Sequence, residues 1–355
     1  MSKLHFLVLA TADQTTLTKA IKQLGHSYEE YNPNNLYLFI SESESGYDRV
    51  YNGSPERETP ERLKAKTFDA IFSRIGEGLN HGAAILRHLN ENLGIYSTQD
   101  ADGLLTASNK LKTTQKLSVW GLRVPKTVYA KNPVHVGFLL QKVDGLPAIA
   151  KLLRGSQGVG VNILETPLAT NTMLESFSKS KIDLKIQKFI QADGKDIRAI
   201  VIGDTVSVAM ERTANKGDFR ANISKDGSGR KVELSDEDKG ICIRAAKAVG
   251  LTFAGVDIMK DADGKTYVVE VNGNPGTKII NITGHNYFVD LVKFVESKVG
   301  KSDSKQTYSQ GTKAETPLQA TAAVSGPVCY LSESEKKAIA EESRLRATHP
   351  TMFRD

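Results

Sequence analysis

Three oxygen-bearing side chains in the last third of the sequence have the spacing expected of metal ligands on a β-hairpin. The turn residues Asp261–Gly264 separate two runs rich in β-formers, which predicts a hairpin around this turn. If residue 261 pairs with residue 264, Asp257 lies opposite Val268. Alternation along the strands then places Asp257, Glu270 and Asn272 on one face. The opposite face is predicted to be core and consists of Val256, Ile258, Tyr267, Val269 and Val271.

These three side chains would offer carboxylate and amide oxygens without histidine or cysteine. Such a donor set favours Mg²⁺ over zinc or copper. The pattern alone also fits a solvated strand face that carries two ordinary acids.

A second hairpin with a polar face is predicted upstream. Gly203-Asp204 can form its two-residue turn, so that Asp196, Arg198, Ser207 and Glu211 share one face. An arginine among acids suits a phosphate or a carboxylate, because its planar fork binds such groups with two hydrogen bonds. For each residue taken singly, a surface ion pair is the alternative.

A lysine followed by a glycine-rich loop comes before this hairpin. Lys151 ends a predicted strand, and the loop Gly155–Gly160 has backbone N–H groups that are able to surround phosphates. The loop is neither a Walker A sequence nor a G-x-G-x-x-G fingerprint. A plain turn is therefore the alternative here.

The elements that would position these residues begin with an α/β unit. The sequence predicts strands over Leu4–Leu9 and Thr67–Ser73 and helices over Thr15–Leu24 and Gly82–Leu93. This alternation is typical of a small parallel sheet. The apolar run in the first strand is too short for a signal peptide. The polar stretch Ser41–Glu61 is predicted to be irregular.

Helices are also predicted beside the chemical motifs. One is Asn109–Trp120, and another is capped by Ser235 and ends before Gly250. A last amphipathic helix covers Tyr287–Val299. The polar segment after it has no apolar periodicity, which predicts a flexible linker at Lys301–Gly326.

Composition narrows the class of protein. The chain has 355 residues, of which 39% are hydrophobic and 25% charged, enough for two or three folded domains. No apolar run approaches the roughly 20 residues that span a bilayer. Two cysteines, Cys242 and Cys329, indicate a reducing cytoplasm. The net charge is +6, but basic and acidic residues are interspersed along the chain. This charge therefore does not require nucleic-acid binding. No sequence pattern suggests a Ser/His/Asp catalytic arrangement.

Taken together, these segments resemble the ATP-grasp superfamily of carboxylate–amine ligases, and most closely its RimK-type group, the ribosomal protein α-L-glutamate ligases. The resemblance covers residues 4–300 and leaves the tail outside. The runs that carry it, in order, are Ser73–Gly76, Asn109–Leu111, Lys151–Val161, Gly194–Arg198, Glu211–Arg212, Gly217–Asn222, Ala254–Ile258 and Glu270–Gly276.

The resemblance implies an α/β (α+β) ATP-grasp fold with an N-terminal Rossmann-like pre-ATP-grasp domain and a flexible C-terminal tail. The implied divisions are the pre-ATP-grasp domain, a central subdomain with the glycine-rich flap, a C-terminal subdomain with the magnesium site, and the tail. Their bounds are 1–100, 101–186, 187–300 and 301–355.

The resemblance also implies residue roles. Asp257, Glu270 and Asn272 would hold two Mg²⁺ ions, with Mn²⁺ as an alternative. Arg198, Arg220 and Asn222 would face the transferred phosphate and the carboxylate, as catalytic and nucleotide-binding residues. The remaining ATP contacts would be Lys110, Lys151, Gly155, Ser156, Gln157, Gly158, Gly160, Gln187, Lys188, Phe189, Ile190 and Asp196.

The implied reaction is phosphorylation of a carboxylate by ATP, followed by attack of an amine on the acyl phosphate. The expected amino acid is glutamate, and the expected acceptor is a protein C-terminus. The alternatives are a small-molecule carboxylate, a peptide or a carrier protein as acceptor, or a non-catalytic nucleotide-binding protein. A cytoplasmic homo-oligomer, dimer or tetramer, is expected, with neither membrane nor nucleic acid as partner.

The sequence departs from the family pattern in three places. Lys188 stands where these ligases usually have a glutamate, which bears on purine binding if that contact is made by the side chain. Gly273 and Asn274 replace small residues such as Ala and Ser, a change that looks tolerable. The tail after Gly300 is extra, so the choice of partner need not follow the family.

Overall fold

The computed structural model describes residues 2–40, 49–131, 133–153, 160–215 and 228–299. None of the helices within these ranges is long and apolar enough to cross a membrane. The prediction of a flexible tail at 301–355 lies outside the described residues.

The chain begins with the parallel sheet that the sequence predicts. Its strand order is β2-β1-β6-β7, and the pairs β1–β2, β1–β6 and β6–β7 are all parallel. Because helices cover the sheet, four of the six residues of β1 are fully buried. The elements are β1 (His5–Ala10), α1 (Thr15–Gln23), β2 (Ser27–Tyr31), β6 (Ala70–Arg74), α2 (Leu79–Arg87) and β7 (Tyr96–Ser97).

A small antiparallel sheet interrupts this unit. It has the order β3-β4-β5 and consists of β3 (Leu36–Leu38), β4 (Val50–Asn52) and β5 (Glu61–Arg62). The prediction that Ser41–Glu61 is irregular is therefore wrong for β4 and for the first residue of β5, and residues 41–48 lie outside the described ranges. Val50 is fully buried. Its burial anchors β4, although the polar composition of the segment does not predict a strand.

The middle of the chain forms an antiparallel four-stranded sheet of order β10-β9-β11-β8. A small core of its own lies beneath two helices, with Leu174 and Leu164 almost completely buried. The elements are α3 (Ala101–Ala107), α4 (Lys110–Val119), β8 (Thr127–Tyr129), α5 (Val136–Lys142), β9 (Ala148–Leu152), β10 (Val161–Leu164), α6 (Pro167–Lys179) and β11 (Leu184–Lys188).

The last part of the chain forms an antiparallel five-stranded sheet of order β14-β13-β12-β15-β16. Its elements are β12 (Lys195–Ile202), β13 (Thr205–Thr213), β14 (Ser228–Val232), α7 (Asp236–Val249), β15 (Phe253–Lys260), β16 (Thr266–Asn272), α8 (Lys278–Thr283) and α9 (Tyr287–Val299).

Both faces of this sheet carry core, so its strands are held rigidly. Residues of α7 and Val256 join one apolar cluster, whereas α9 and Ile200 join the other. The predicted capping of α7 is confirmed. The Ser235 hydroxyl accepts a hydrogen bond from the Asp238 amide at 3.1 Å, and Gly250 ends the helix with a φ of +83°.

Candidate functional site

The predicted hairpin of β15 and β16 exists, but its register differs from the prediction. Asp257 lies directly opposite Glu270 and not opposite Val268, which pairs with Ile258. A β-bulge between residues 257 and 258 adds one residue to β16 and changes the phase of its alternation. Two of the residues predicted as core, Tyr267 and Val269, are consequently only half-buried, whereas Val268 is 1% exposed.

The bulge has a direct effect on the site, because directly opposed residues share a face of the sheet. The carboxylates of Asp257 and Glu270 are cross-strand neighbours, and Asn272 lies opposite Gly255 one step further on. All three predicted metal-binding side chains therefore come together at one end of this strand pair.

The second hairpin has its turn at Gly203-Asp204, as predicted, since Ile202 pairs with Thr205. A bulge between residues 200 and 201 again shifts the register. Glu211 therefore lies opposite Ile197, on the face away from Asp196, and the prediction that it belongs to the polar face is wrong. Arg212 takes the position opposite Asp196 instead.

Two arginines surround the Asp257 carboxylate. The Nε and Nη2 of Arg198 donate to its two oxygens at 2.7 and 2.6 Å, and Arg212 Nη2 donates to Oδ2 at 2.8 Å. Burial alone would raise the pKa of Asp257, but the two guanidinium charges outweigh it and lower the pKa to about 2. Asp257 is therefore an anion at neutral pH.

Arg212 also connects this carboxylate to Asp196. Its Nε and Nη2 donate to the two Asp196 oxygens, each at 2.6 Å. Burial raises the pKa of Asp196 by more than the charge of Arg212 lowers it. Repulsion from Asp257 raises it further, and the pKa is about 6. The arginine thus bridges two carboxylates that differ in their affinity for a proton.

The Glu270 carboxylate is paired with a lysine from the central part of the chain. Lys110 Nζ lies 2.9 Å from Glu270 Oε1. The side chain of Asn109 accepts hydrogen bonds from the amides of residues 111 and 112 and so starts α4 at Lys110. Burial favours the protonated acid, but Lys110 and Arg198 lower the pKa of Glu270 below its ordinary value.

Lys151 supplies a further cation on the neighbouring sheet. It lies on β9 and pairs in register with Lys185 of β11. Loss of hydration on burial lowers the pKa of Lys151 to about 8, although Glu270 acts in the opposite direction. The partly desolvated ammonium is therefore able to bind an anion strongly.

The residues expected to line the adenine occupy the end of β11. Gln187 is 2% exposed, and its Nε2 donates to Thr127 Oγ1 at 2.8 Å. Ile190 is buried, whereas Lys188 and Phe189 are half-buried. The Lys188 ammonium lies 2.9 Å from Asp144 Oδ2, so this unusual lysine forms an ion pair at the edge of the sheet.

Part of the predicted site cannot be placed. The flap residues Gly155, Ser156, Gln157 and Gly158, and both Arg220 and Asn222, lie outside the described residues. Gly160, at the end of the flap, has a φ of +74°, and a Cβ there would clash with the side chain of Leu152. A glycine is therefore required where the flap rejoins β10.

Within the described ranges, no group of three or more His, Cys, Asp or Glu side chains converges as a metal site would require. The carboxylates of Asp257 and Glu270 and the amide of Asn272 nevertheless share one end of the strand pair, and these oxygen donors fit Mg²⁺. Asn272 Oδ1 is already ordered by the Asn274 amide at 2.8 Å. Because Arg198 and Lys110 neutralise the carboxylates, a bound cation has to displace or share these partners.

Two clefts differ in their relation to these residues. A cleft of about 220 Å³ includes Asp196, Ile197 and Lys260 in its lining. A wider one of about 710 Å³ is lined by Val134–Phe138 and Asn171, none of which is a predicted contact. Since only the smaller cleft contains a site residue, it is the one relevant to the chemistry.

One arrangement runs counter to the expectation that no Ser/His/Asp group exists. Ser207 Oγ donates to Asp290 Oδ2 at 2.6 Å, and His285 Nε2 lies 2.7 Å from the same oxygen. His285 Nε2 also lies 3.3 Å from the serine. Because one ring nitrogen faces both partners, the ring cannot relay a proton from serine to aspartate, and this is not a catalytic triad.

The comparisons with known proteins agree with this geometry. A family model described as the RimK-like ATP-grasp domain matches residues 107–295, which include every described residue predicted to contact ATP or metal. The chain belongs to the RimK-like ATP-grasp family. It is an ATP-dependent ligase.

Curated relatives of this family align with most of the chain. A probable alpha-L-glutamate ligase 2 of Shewanella sp. (strain W3-18-1) is 36% identical over 298 residues, which are 83% of this chain and 94% of the relative. A probable alpha-L-glutamate ligase 1 of Shewanella amazonensis (strain ATCC BAA-1098 / SB2B) is 34% identical over the same shares.

Solved structures share the ATP-grasp fold. The ligase PsnB, complexed with a phosphomimetic variant of its minimal precursor, Mg and ADP, superposes with a TM-score of 0.65 at 19% identity. The match covers 84% of this chain and 99% of PsnB. The RimK domain protein of Sphaerobacter thermophilus DSM 20745 gives a TM-score of 0.58 at 19% identity, over 82% and 99% of the two chains.

Three residues that contact the predicted site residues, or the segments beside them, escaped the sequence analysis. Arg212 is part of the Glu211–Arg212 run. A register without the bulge places Glu211, and not Arg212, on the polar face. Lys185 lies in a run of β character, where a buried lysine has no distinguishing signal. Arg74 belongs to the Ser73–Gly76 run, yet its contact with the distant Pro275 carbonyl, at 3.0 Å, has no local signature.

Proposed function

We propose that this protein uses MgATP to activate a carboxylate as an acyl phosphate and joins it through an amide bond to glutamate. A protein C-terminus is the proposed acceptor. The observation that carries this proposal is the convergence of Lys110, Arg198 and Arg212 on Asp257 and Glu270. The names of the curated relatives support glutamate as the amino acid.

In the first step, an oxygen of the acceptor carboxylate attacks the terminal phosphorus of ATP, and the bond to the bridging oxygen of ADP breaks. Lys110 and Lys151 bind the phosphates, and Arg198 orients the transferred group. Asp257, Glu270 and Asn272 would hold Mg²⁺, which supplies positive charge to the phosphate oxygens when bound. Two ions, with Mn²⁺ as a substitute, are part of the proposal.

In the second step, the glutamate amine attacks the acyl carbon, and phosphate leaves as the amide forms. The proton that the amine loses in this step passes to the released phosphate or to solvent. The positive charges around Asp257 favour the phosphate as a leaving group. Arg220, Asn222 and the flap from Gly155 to Gly158 complete the site in this proposal, with Gln187 to Ile190 beside the base and Asp196 near the ribose.

Incubation with MgATP, glutamate, hydroxylamine and peptides that carry a free C-terminal carboxylate tests the chemistry through ADP release and hydroxamate formation. Glu270→Gln is expected to abolish both, whereas the exposed Glu233→Gln, as matched control, should keep them. Treatment of a cell extract followed by mass spectrometry identifies the acceptor. Glutamate-sized increments on proteins support the proposal, and increments on small molecules, peptides or a carrier protein favour those acceptors.

Tight ATP binding without turnover across these acceptors would replace the ligase proposal with a non-catalytic nucleotide-binding protein. Size-exclusion chromatography with light scattering tests the expected dimer or tetramer separately.

A further inference from the structure

A third lysine lies behind the two that are proposed to bind the phosphates. Lys185 is 1% exposed, one of the largest fully buried side chains in the described residues. It stands on β11 directly opposite Lys151 of β9. Burying a lysine beside another lysine is costly unless the charge is lost or compensated. No carboxylate among the described residues forms an ion pair with it.

The Lys185 amine is fixed by two acceptors on α4. Its Nζ donates to the Lys110 carbonyl at 3.0 Å and to Thr114 Oγ1 at 2.6 Å. The Thr114 hydroxyl in turn donates to the same carbonyl at 2.8 Å. The two bonds from Lys185 attach the start of α4 to the central sheet, and the bond from Thr114 lies within the helix.

The N–H of the same residue is bonded to the segment that follows β9. The Lys110 amide donates to the Leu153 carbonyl at 3.0 Å. Lys110 is therefore held at its N–H by Leu153, the residue after β9, and at its C=O by Lys185. The Lys110 ammonium is positioned from this fixed backbone toward Glu270.

The burial of Lys185 and the charged groups around it determine its protonation state. Lys151 lies opposite it, Lys110 lies on the helix packed over it, Glu270 lies beyond Lys110, and Tyr129 pairs with it on β8. Burial, and then the two lysines, lower the pKa of Lys185 to about 6, against a smaller opposing effect of Glu270. At neutral pH the amine is therefore mainly uncharged while no polyanion is bound.

Nucleotide phosphates at Lys110 and Lys151 would reverse this balance. Their negative charge favours the protonated form of any amine nearby. An ammonium at Lys185 retains both of its hydrogen bonds, because a carbonyl and a hydroxyl oxygen accept from either form. The local structure can therefore remain the same while the charge changes.

We propose that Lys185 is a positioning residue for the phosphate-binding lysines, and that it takes up a proton when the phosphates of a nucleotide bind beside Lys110 and Lys151. The inference rests on the proposed function, because that function assigns the phosphates to these two residues. Lys185 would add a third positive charge without contacting the nucleotide.

Calorimetric titration of the full chain with MgADP tests this inference. Measurements at neutral pH in two buffers of different ionisation enthalpy give the number of protons taken up. Wild type is expected to take up more than Lys185→Met, by a difference that approaches about one proton. MgADP should bind Lys185→Met roughly tenfold more weakly, the factor expected from one charged interaction.

Two further variants separate the two parts of the inference. Lys185→Gln keeps a donor for the Lys110 carbonyl but cannot be protonated, so it should lose the extra proton uptake and weaken binding less than Lys185→Met. The exposed Lys116→Met, on the helix α4 that Lys185 contacts, is the matched control and should behave as wild type.

Equal proton uptake and affinity in wild type and both Lys185 variants would overturn the inference while leaving the proposed function intact. Weaker binding with unchanged proton uptake would overturn the protonation part alone. Failure of wild type to bind MgADP would instead overturn the proposed function. Circular dichroism verifies that each variant is folded, and Lys185→Gln provides the decisive comparison if Lys185→Met is not.

Discussion

Arg198 and Asp257 stand directly opposite each other on β12 and β15, and the guanidinium covers both carboxylate oxygens, at 2.7 and 2.6 Å. The carboxylate of Asp257, which is proposed to hold Mg²⁺, is thus already paired with a positively charged side chain of the protein. Glu270 is in the same position, since Lys110 lies 2.9 Å away. The metal has to compete with these partners unless another anion draws them away.

The first prediction is that Arg198 weakens metal binding at Asp257 while no nucleotide is bound. Without nucleotide, wild type should bind Mn²⁺ weakly, because both carboxylates are paired. Arg198→Gln frees Asp257 from one partner and should bind Mn²⁺ roughly tenfold more tightly, since charge-assisted bonds of this kind are strong. Electron paramagnetic resonance of free Mn²⁺ measures both affinities. Arg230→Gln is the control, because the ion pair that Arg230 forms within the described residues is with Glu211. Equal affinities in wild type and Arg198→Gln would contradict the prediction.

The second prediction concerns Arg212 and the stability of the fold. Arg212→Met leaves Asp196 and Asp257 facing each other in a buried setting, so the free energy of unfolding should fall by about 3–5 kcal/mol. Arg230→Met removes an arginine that is 69% exposed and should cost less than about 1 kcal/mol. Urea denaturation followed by circular dichroism compares the two. Similar losses in both variants would show that Arg212 has no special structural role.

Much of the architecture could be predicted from local patterns. Period-two alternation and the turns at residues 203–204 and 261–264 predict both hairpins, and the Ser235 cap predicts α7. Such signals are encoded in a few neighbouring residues. The order of the motifs also indicates the RimK-like family before any distance is known.

The errors arise where one extra residue is inserted into a strand. The bulges beside Ile200 and Asp257 reverse the alternation of the side chains beyond them. Arg212 consequently takes the place on the polar face that is predicted for Glu211, and Val268 is buried instead of Val269. No residue type marks these positions. The contacts of Arg74 and Lys185 are equally hidden, because their partners lie far away in the sequence.

The third prediction is that Arg74 orders the loop after β16. Its Nη2 donates to the Pro275 carbonyl at 3.0 Å, and its guanidinium lies 5.2 Å from the ring of Phe288. Arg74→Met removes that donor, so the loop should open more often. The Asn274 amide, bonded to Asn272 Oδ1, should exchange its hydrogen roughly tenfold faster, the effect of losing one bond.

Hydrogen exchange measured by nuclear magnetic resonance follows this amide. Arg87→Met is the control, because its ion pairs with Glu91 and Asp102 are on the surface. Unchanged exchange at Asn274 in Arg74→Met would mean that the loop is ordered by other contacts.

The last prediction uses the buried amine of Lys185 to relate stability to pH. Its pKa is about 6 in the folded chain, against 10.5 for an ordinary exposed lysine. Between these values the unfolded chain binds the additional proton, so this residue makes wild type more stable as pH rises. Below pH 6 the full penalty of the buried lysine is present, and near pH 10.5 it vanishes.

Lys185→Met lacks this penalty and should be more stable than wild type by roughly 1–4 kcal/mol at neutral pH, the gain seen when buried charges are replaced by apolar side chains. The advantage should shrink steadily in alkaline buffer, where the neutral amine keeps its bonds to Lys110 and Thr114 and methionine cannot replace them. Urea denaturation across this pH range measures the difference, with Lys116→Met as control. An advantage independent of pH would mean that Lys185 is charged in the folded chain, since only a proton lost on folding produces the predicted slope.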